Sequence, residues 1–315
     1  MLLVAAGVAA SAGAQQDYPS KPVRLVVPFP PAGASDLMAR IPAQKLAEIW
    51  GKSVIVDNRT GGNSILGTRI VASSPPDGYT LLLITFFHVT VPSLYSSLPY
   101  DAIRDFSGVG AIAKSRYVLI ARSGFPATSV KELIALAKSK PGALTYGSAG
   151  VGGGVHLVGA LFNSMVGTKM LHVPYKGAGA MIQDQMGGRV DISFPTSAVA
   201  LPALASGKVT PLAVSGENRF PSLPQVPTFA ESGLPAFQVQ GWFGLAAPGK
   251  TPRPIVDKIA RDLVTAIESA QVKQQLATAG MEPYTASPVQ VDALVKADIA
   301  RYAKVIKEEN IKPED

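Results

Sequence analysis

The first residues that could do chemistry follow a short apolar run near the start of the chain. Residues 25–27 predict a buried strand, and the Pro and Gly residues at 28–33 end it. Ser35 or Asp36 is then suited to cap an amphipathic helix predicted over 37–50. Free N–H groups at a helix start, with the positive end of the helix dipole behind them, bind anions. The loop therefore predicts an anion site made of backbone, while an ordinary strand-to-helix turn would have the same sequence.

A second loop of this kind lies in the other half of the chain. A strand predicted over 144–147 leads into a glycine-rich stretch at 148–154, and a helix is predicted over 156–166. The stretch lacks the Lys of a phosphate-binding loop and the third Gly of a dinucleotide-binding loop. One interpretation is a second backbone anion site in which Ser148 supplies a hydroxyl group. The other interpretation is a flexible loop.

The side chains that could act as catalysts or metal ligands are not arranged for either task. His88, His156 and His172 lack the spacing of a metal site, and the chain has no Cys. Ser148 does not lie in a nucleophile elbow, and Asp36 is better explained as a helix cap than as a catalytic acid. We therefore expect no metal, no cofactor and no enzymatic activity. His156 could contact a ligand or simply pack, and His172 is expected to be structural.

Further candidate contacts lie near the ends of later strands. Tyr175 and Lys176 suit a wall that binds a carboxylate, although they also fit a core aromatic residue beside a solvated cation. Phe194 and Thr196 follow at the end of a strand predicted over 190–194. We expect this strand end to close the same crevice.

Two adjacent aromatic residues follow the strand predicted over 80–84. We interpret Thr85 to His88 as the end of that strand, followed by a segment rich in Pro and Tyr. Phe86 and Phe87 fit a hydrophobic core, or Phe86 packs against a ligand.

Strands and helices alternate along the chain, which indicates α/β architecture with largely parallel sheets. The strand–loop–helix unit occurs once in each half. A helix at 129–140 has one apolar face and Thr128 or Ser129 as its cap. Helices are also predicted over 253–270, 270–279 and 288–308.

Composition narrows the class of protein. The chain has 315 residues, of which 47% are hydrophobic and 16% are charged, so it can bury a large core. Its formal net charge is +7, but the basic residues are scattered. We therefore expect no nucleic-acid partner and an attraction for small anions instead. The absence of Cys is compatible with an oxidising compartment.

The first residues resemble an export signal. Residues 1–14 are small and apolar and end in a pattern typical of cleavage near Ala14, although no basic residue precedes Lys21. No later run of about 18 apolar residues suggests a membrane helix. The sequence therefore predicts an exported, soluble protein in which 1–14 is the remnant of a signal peptide. A buried N-terminal helix is the alternative.

A series of short motifs runs in order from Tyr18 to the C-terminal region. They are Tyr18-Pro19-x-Lys21-Pro22, Val27-Pro28-Phe29-Pro30-Pro31-x-Gly33-x-x-Asp36, Val56-x-Asn58-Arg59, Pro76-Asp77-Gly78-Tyr79, Leu98-Pro99-Tyr100-Asp101, Asp105-Phe106, Tyr146-Gly147-Ser148-Ala149-Gly150 with His156, His172-Val173-Pro174-Tyr175-Lys176-Gly177, Gly187-Gly188-Arg189-Val190-Asp191 and Leu223-Pro224-x-Val226-Pro227-Thr228. By these motifs the chain closely resembles the Bug family, the substrate-binding proteins of tripartite tricarboxylate transporters.

The resemblance implies the type II periplasmic-binding-protein fold. This α/β fold has two lobes, with two mixed, mostly parallel sheets joined by two crossing strands. Residues 18–120 would form lobe 1, residues 121–240 would form lobe 2, and 241–315 would return to lobe 1 and supply the C-terminal helices. The hinge candidates are 117–122 and 241–247.

The resemblance also implies a function. Such a protein captures an organic carboxylate, either a di- or tricarboxylate or an aromatic acid, between its lobes in the periplasm. It then delivers the anion to the membrane permease subunits of the transporter, and we expect it to be a monomer without a cofactor. The expected ligand-binding residues are Phe29, Ala32, Gly33, Ser35, Asp36, Thr85, Phe86, Ser148, Ala149, Gly150, His156, Tyr175, Phe194 and Thr196.

Three positions depart from the family pattern. Ala32 stands where members often have Gly, so the loop must avoid a positive φ there or tolerate strain. Pro42 is expected to kink the first helix. Phe86 and Phe87 replace small or polar residues, which would favour an aromatic acid. Two other functions remain open, a ligand sensor for a membrane two-component kinase and, less expected, a periplasmic enzyme.

Overall fold

The computed structural model describes residues 18–313, so the predicted signal segment at 1–14 lies outside the described residues. The first third of the chain and its last quarter together form a six-stranded sheet. In spatial order its strands are β11 (Glu282–Pro283), β4 (Phe106–Ser115), β10 (Gly241–Pro248), β3 (Thr80–Ile84), β1 (Val23–Val27) and β2 (Val54–Asn58). This sheet and the helices packed on it are called lobe 1.

The middle of the chain forms a second sheet of five strands. In spatial order they are β7 (Leu171–Pro174), β6 (Thr145–Ser148), β8 (Ile192–Ser193), β5 (Val118–Arg122) and β9 (Val209–Val214). This sheet and its helices are called lobe 2.

Helices cover both faces of the two sheets. Those of lobe 1 are α1 (Ala34–Trp50), α2 (Ile65–Ala72), α3 (Phe86–Leu94), α8 (Arg253–Glu268), α9 (Ala270–Thr278) and α10 (Pro288–Glu308). Those of lobe 2 are α4 (Val130–Ser139), α5 (Gly154–Val166), α6 (Ala178–Met186) and α7 (Ser197–Ala205). Within residues 18–313 no helix combines the length and the apolar character that crossing a membrane requires.

The two lobes repeat one topology. Strands β2, β1, β3, β10 and β4 of lobe 1 have the same spatial order as β7, β6, β8, β5 and β9 of lobe 2. The loops that follow β1 and β6 therefore hold equivalent positions and open α1 and α5. The loops that follow β3 and β8 are equivalent in the same way and open α3 and α7.

The prediction of two mixed α/β sheets is confirmed. Parallel pairing is confined to the β2–β1–β3 and β7–β6–β8 groups. The other five pairings are antiparallel, because the strands that connect the lobes and the short β11 enter in the opposite direction. Four parallel pairs thus stand against five antiparallel pairs, so parallel pairing does not predominate.

The chain passes between the lobes twice. The first crossing, at 116–117, lies between β4 and β5, and the second runs from the end of β9 to the start of β10. The expected lobe boundary at residue 120 falls inside β5, and the two hinge candidates coincide with regular strands. Arg116 marks the first crossing, where its buried guanidinium pairs with Glu282 of lobe 1 and donates to the carbonyl oxygen of Ser215 beyond β9.

Apolar runs became strands because both faces of each sheet are covered. Leu25 and Leu81 face the core that contains α1 and α8, whereas Val26 and Leu82 face the core that contains α10. Side chains alternate between the faces of a strand, so a strand buried on both sides needs an unbroken apolar sequence. In lobe 2 the same alternation places Leu119 and Ile120 in separate cores.

Several local expectations need correction. Thr85 to His88 do not end a strand, because α3 begins at Phe86, and α7 and β11 were not predicted. The first helix begins at Ala34 with Gly33 as its N-cap, and it continues through the buried Pro42 to Trp50. Ser129 caps α4 as expected, since its hydroxyl accepts from the N–H of Glu132.

Candidate ligand-binding site

The loop between β1 and α1 is held by one buried carboxylate. Asp36 is 4% exposed and accepts hydrogen bonds from Ala32 N at 3.0 Å, Arg40 Nε at 2.8 Å and Asn58 Nδ2 at 3.0 Å. Asn58 Nδ2 also donates to Phe29 O at 3.0 Å. Neither Ser35 nor Asp36 is the N-cap, so the role of Asp36 is to support the loop rather than to cap the helix.

The hydrogen bonds to Asp36 also determine its protonation state. The hydrogen bond from Arg40 lowers the pKa of Asp36 to about 2, so the carboxylate is ionised and its charge is balanced by the guanidinium. The N–H groups of the first turn of α1 have no partner within the helix. The loop therefore presents backbone donors without a free acidic group beside them.

Ala32 adopts a left-handed backbone conformation, which is strained for a residue that has a Cβ atom. Its φ is +65°, in the left-handed region that disfavours residues with a side chain. The bond from Ala32 N to Asp36 holds the residue there. Gly33, in contrast, has an ordinary extended conformation as N-cap, with φ at −88°.

The loop between β6 and α5 is held by two neutral histidines. His156 Nδ1 accepts from Gly152 N at 3.0 Å, and His172 Nε2 lies 2.6 Å from Ser148 Oγ. The two imidazole rings stack with centroids 3.7 Å apart and planes 6° apart. Ser148 Oγ also donates to Gly150 O at 3.1 Å and accepts from Gly150 N at 3.2 Å. The polar groups of this loop are therefore used to hold it together.

Burial keeps both rings neutral. Desolvation lowers the pKa of His156 to about 3, with a smaller contribution from His172, and it lowers the pKa of His172 to about 4. His156 must also be unprotonated at Nδ1 to accept from Gly152. Its buried ring supports the loop from beneath, and α5 begins after the N-cap Gly153.

Two further helix starts complete the site. Thr85 and Thr196 are the N-caps of α3 and α7, and neither side chain caps its helix. Thr85 is 5% exposed, and its hydroxyl oxygen has no hydrogen-bond partner within residues 18–313. Thr196 pairs with Tyr117 at the first crossing between the lobes. Four helix N-termini thus lie at the carboxyl ends of parallel strands, where α/β sheets bind ligands.

Phe87 lies between the two loops that the sequence predicts to bind an anion, the loop after β1 and the loop after β6, which are called the anion loops. Its ring centroid lies 5.4 Å from that of Phe29 in the first loop, and a Cβ built on Gly153 in the second would lie 3.5 Å from its ring. Thr90 Oγ1, one turn further along α3, donates to Gly152 O at 3.4 Å. A helix of lobe 1 therefore packs directly against the anion loop of lobe 2.

The other predicted aromatic residues differ in position. Phe86 packs on Tyr302 of α10, with centroids 4.6 Å apart. Tyr175 donates from its hydroxyl to Asp184 at 3.1 Å. Phe194 has no exposed surface and packs on Phe162 within the core of lobe 2, in contrast to the prediction that it lines the crevice. The buried strand β8 turns this ring inward.

Sequence reasoning missed the residues that support the first loop from a distance. Asn58, at the end of β2, was noted only as part of a motif, and no role was predicted for Arg40 on the first helix. A helical spacing of four from Asp36 to Arg40 was the available signal. The interaction with Asn58 depends on β1 and β2 being neighbours.

A cavity of about 520 Å³ lies beside the first loop. It is bounded by the first turns of α1, by α7 and by residues 278–281 at the end of α9 and just beyond it, so both lobes contribute to it. Of the predicted ligand-binding residues, Ala32, Gly33 and Asp36 line it. No group of three or more His, Asp and Glu side chains in the described part of the chain is arranged to hold a metal ion.

Two lobes that repeat one topology, with equivalent strand–loop–helix units, define the class of protein, a receptor with the type II periplasmic-binding-protein fold. The model of the family described as "Tripartite tricarboxylate transporter family receptor" matches residues 38–311. The chain belongs to this family, whose members are periplasmic binding proteins.

Similar proteins span almost the whole chain. Protein BugT of Bordetella pertussis is 33% identical over 314 residues, covering 99% of this chain and 96% of BugT. The structure of Rpa4515 of R. palustris with adipate has a TM-score of 0.82 and 36% identity, covering 95% of this chain and 100% of Rpa4515. MatC of Rhodopseudomonas palustris with bound malate has a TM-score of 0.78 and 31% identity, covering 92% of this chain and 100% of MatC.

Proposed function

We propose that the protein captures an organic carboxylate between its lobes in the periplasm and delivers it to the membrane permease of a tripartite tricarboxylate transporter. The observation that carries the proposal is that two helices of each lobe begin at the carboxyl ends of parallel strands, while α3 packs against the lobe 2 loop and α1 and α7 border one cavity. Backbone N–H groups there bind a carboxylate through charge-assisted hydrogen bonds. The similar structures with adipate and malate support the same ligand class.

Binding is coupled to closure of the lobes. The carboxylate bridges donors from lobe 1 and lobe 2, so its binding favours the arrangement in which both loops are near it. Closure excludes water and strengthens these hydrogen bonds in a less polar environment. The closed form is the one the permease recognises as loaded.

We also propose that no covalent step follows. Ser148 and His172 lie within hydrogen-bond distance, as a nucleophile and its base would. However, Ser148 is fully buried, and its hydroxyl group also lies within hydrogen-bond distance of both the carbonyl oxygen and the N–H of Gly150. A nucleophile must be accessible to its substrate, and this hydroxyl group is instead used within the loop. The pair supports the loop.

The remaining parts of the proposal follow from the family and the sequence. Residues 1–14 serve as an export signal that is cleaved near Ala14, and the mature protein is a monomer. Two lobes, divided at the crossing at 116–117 rather than at residue 120 and again at residue 241, act as the two moving units. Mass spectrometry of the protein secreted to the periplasm tests the cleavage site, and light scattering tests the monomer.

Calorimetry and thermal unfolding test the ligand class. We expect succinate, malate, adipate or benzoate to release or absorb heat on binding and to raise Tm, as any ligand of the native state does. Dimethyl adipate, which keeps the carbon chain but lacks the charge, should have no effect. If none of the four acids binds, the proposed function is wrong.

A further inference from the structure

The two equivalent helices α3 and α7 differ at the second residue after the N-cap. In α3 this residue is Phe87, and in α7 it is Ala198. The ring of Phe87 fills the space beside the lobe 2 loop, where a Cβ built on Gly153 would lie 3.5 Å from it. The methyl group of Ala198 cannot fill the equivalent space beside the lobe 1 loop. The cavity of about 520 Å³ lies there, and its size is typical of small-molecule sites.

The cavity has an apolar lining. Leu37, Leu201 and Met281 contribute apolar side chains from α1, α7 and the turn after α9. Leu37 is 44% exposed, which is high for a large apolar side chain. A leucine that lines a cavity and is not covered by the protein leaves room for another apolar group.

The polar side chains around the cavity already have partners. Asp36 and Arg40 bond to each other, and the Thr278 hydroxyl donates to Gln274 O at 3.0 Å. The two charged side chains that line the cavity, Asp36 and Arg40, form an ion pair, so the lining offers a second carboxylate no net positive charge. The occupant that suits the cavity is apolar.

We propose that this cavity is the subsite for the apolar body of a carboxylate whose charged group is bound at the start of α1. The ligand class is thus an acid with about six or more carbons, carrying an alkyl chain or a ring, rather than a short hydroxylated dicarboxylate. This inference rests on the proposed function, because the carboxylate position comes from it. Ala198 and Leu37 are the residues that set the size of the subsite.

A chain-length series of monocarboxylates tests the proposal on the unmodified protein. Calorimetry would compare butyrate, hexanoate, octanoate and 4-phenylbutyrate, with succinate as the short dicarboxylate. Each methylene buried in an apolar site strengthens binding up to about fourfold. We therefore expect octanoate and 4-phenylbutyrate to bind at least about tenfold more tightly than butyrate.

Two variants place the effect in the cavity. Ala198→Phe introduces the ring that the equivalent position of α3 carries, and Leu37→Trp fills the cavity from the opposite wall. Either should remove the gain of octanoate over butyrate. Leu66→Trp is the matched control, because Leu66 is a helical leucine that is 40% exposed and lies in α2, away from the cavity.

The outcomes separate the two proposals. If succinate binds but affinity does not rise along the series, the subsite is wrong and the proposed function stands. If the series rises equally in the wild type, in Leu37→Trp and in Leu66→Trp, the apolar body lies elsewhere. If no carboxylate binds, the proposed function itself fails. Should Ala198→Phe unfold the protein, the series and the Leu37→Trp comparison still decide.

Discussion

The two anion loops have the same place in equivalent lobes but are supported by opposite means. The lobe 1 loop is held by the ionised Asp36, which gathers donors from its own helix, from the loop backbone and from β2. The lobe 2 loop is held by the neutral, stacked rings of His156 and His172. A backbone site of this kind therefore depends on a rigid loop and not on one particular type of support.

The difference also separates the conditions under which each loop fails. A carboxylate with a lowered pKa keeps its hydrogen bonds until the solution is strongly acidic. Imidazoles that must stay neutral lose their hydrogen bonds at a higher pH than the carboxylate does. Protons compete there for the ring nitrogen that accepts from the backbone. The four predictions that follow use this contrast, from the largest expected effect to the smallest.

Lowering the pH from 7 to 4 should produce the largest loss of stability. The pKa values of His88, His156 and His172 are lowered to about 4, 3 and 4, so these residues stay neutral in the folded protein while the unfolded chain takes up protons below its ordinary value of about 6.5. Stability is complete above pH 6.5 and falls by up to about 1.4 kcal/mol per pH unit for each of the buried residues His88 and His156, with a smaller contribution from the half-buried His172. Asp36 contributes nothing in this range, and the raised pKa of Asp298 acts in the opposite direction.

Denaturant unfolding at several pH values measures this slope. The variant His156→Asn, which keeps an acceptor but cannot be protonated, should show a shallower slope between pH 6.5 and 4. A slope in this variant equal to that of the wild type would show that His156 is not one of the groups responsible.

Removing the carboxylate of Asp36 should be the most damaging substitution in the site. Asp36→Ala leaves Arg40 without its counterion and frees the loop around Ala32, so we expect a loss of about 2–3 kcal/mol in the free energy of unfolding. Affinity for the carboxylate that binds the wild type best should fall by about 100-fold. Asp36→Asn keeps one acceptor oxygen and should have an intermediate effect. Unchanged affinity in Asp36→Ala would show that the lobe 1 loop does not need the Asp36 carboxylate to bind its ligand.

Replacing His156 should weaken the other loop by a smaller amount. His156→Leu removes the acceptor for Gly152 N and one ring of the stack, and we expect a loss of about 1–2 kcal/mol in stability and about tenfold in affinity. His156→Asn should recover most of the affinity at pH 7, because its side-chain oxygen can accept from the same N–H. If both variants bind alike, packing rather than the hydrogen bond supports the loop.

Relieving the strain at Ala32 should have the smallest effect, and it should be favourable. Ala32→Gly removes the Cβ from a left-handed backbone, which we expect to raise the free energy of unfolding by about 0.5–1 kcal/mol. Affinity should stay within about twofold, since the N–H to Asp36 is kept. The control Ala47→Gly, in the interior of α1, should instead destabilise by about 0.5–1 kcal/mol.

The sequence was informative where local patterns and the final structure agree. The anion loops after β1 and β6 were predictable because apolar strands, small residues and amphipathic helices follow each other directly. Helix α3 was not, because Val89, Thr90 and Val91 favour strands, Pro92 interrupts the segment and the helix has no polar face. Helix α7 is equally apolar on all sides and contains Pro202.

The side chains of the site were harder to assign than its loops. Phe87 and Phe194 both lie near the carboxyl ends of strands, yet the ring of Phe87 lies beside the lobe 2 loop and that of Phe194 is buried in a core. Which way each ring points depends on whether the residue belongs to the strand or to the following helix. The role of Asp36 depends on Asn58 in the neighbouring strand, and local sequence does not show that contact.

The position of β10 has a consequence for how the protein folds. Lobe 2 uses strands from one uninterrupted stretch, β5 to β9, but the sheet of lobe 1 receives β10 between β3 and β4. As the chain is synthesised from its N-terminus, the first 115 residues can pair β1 with β2 and β3, and β4 has no neighbour until residue 241 has emerged. Lobe 2 can complete its sheet before then. The lobe that is made first is thus the one that is finished last.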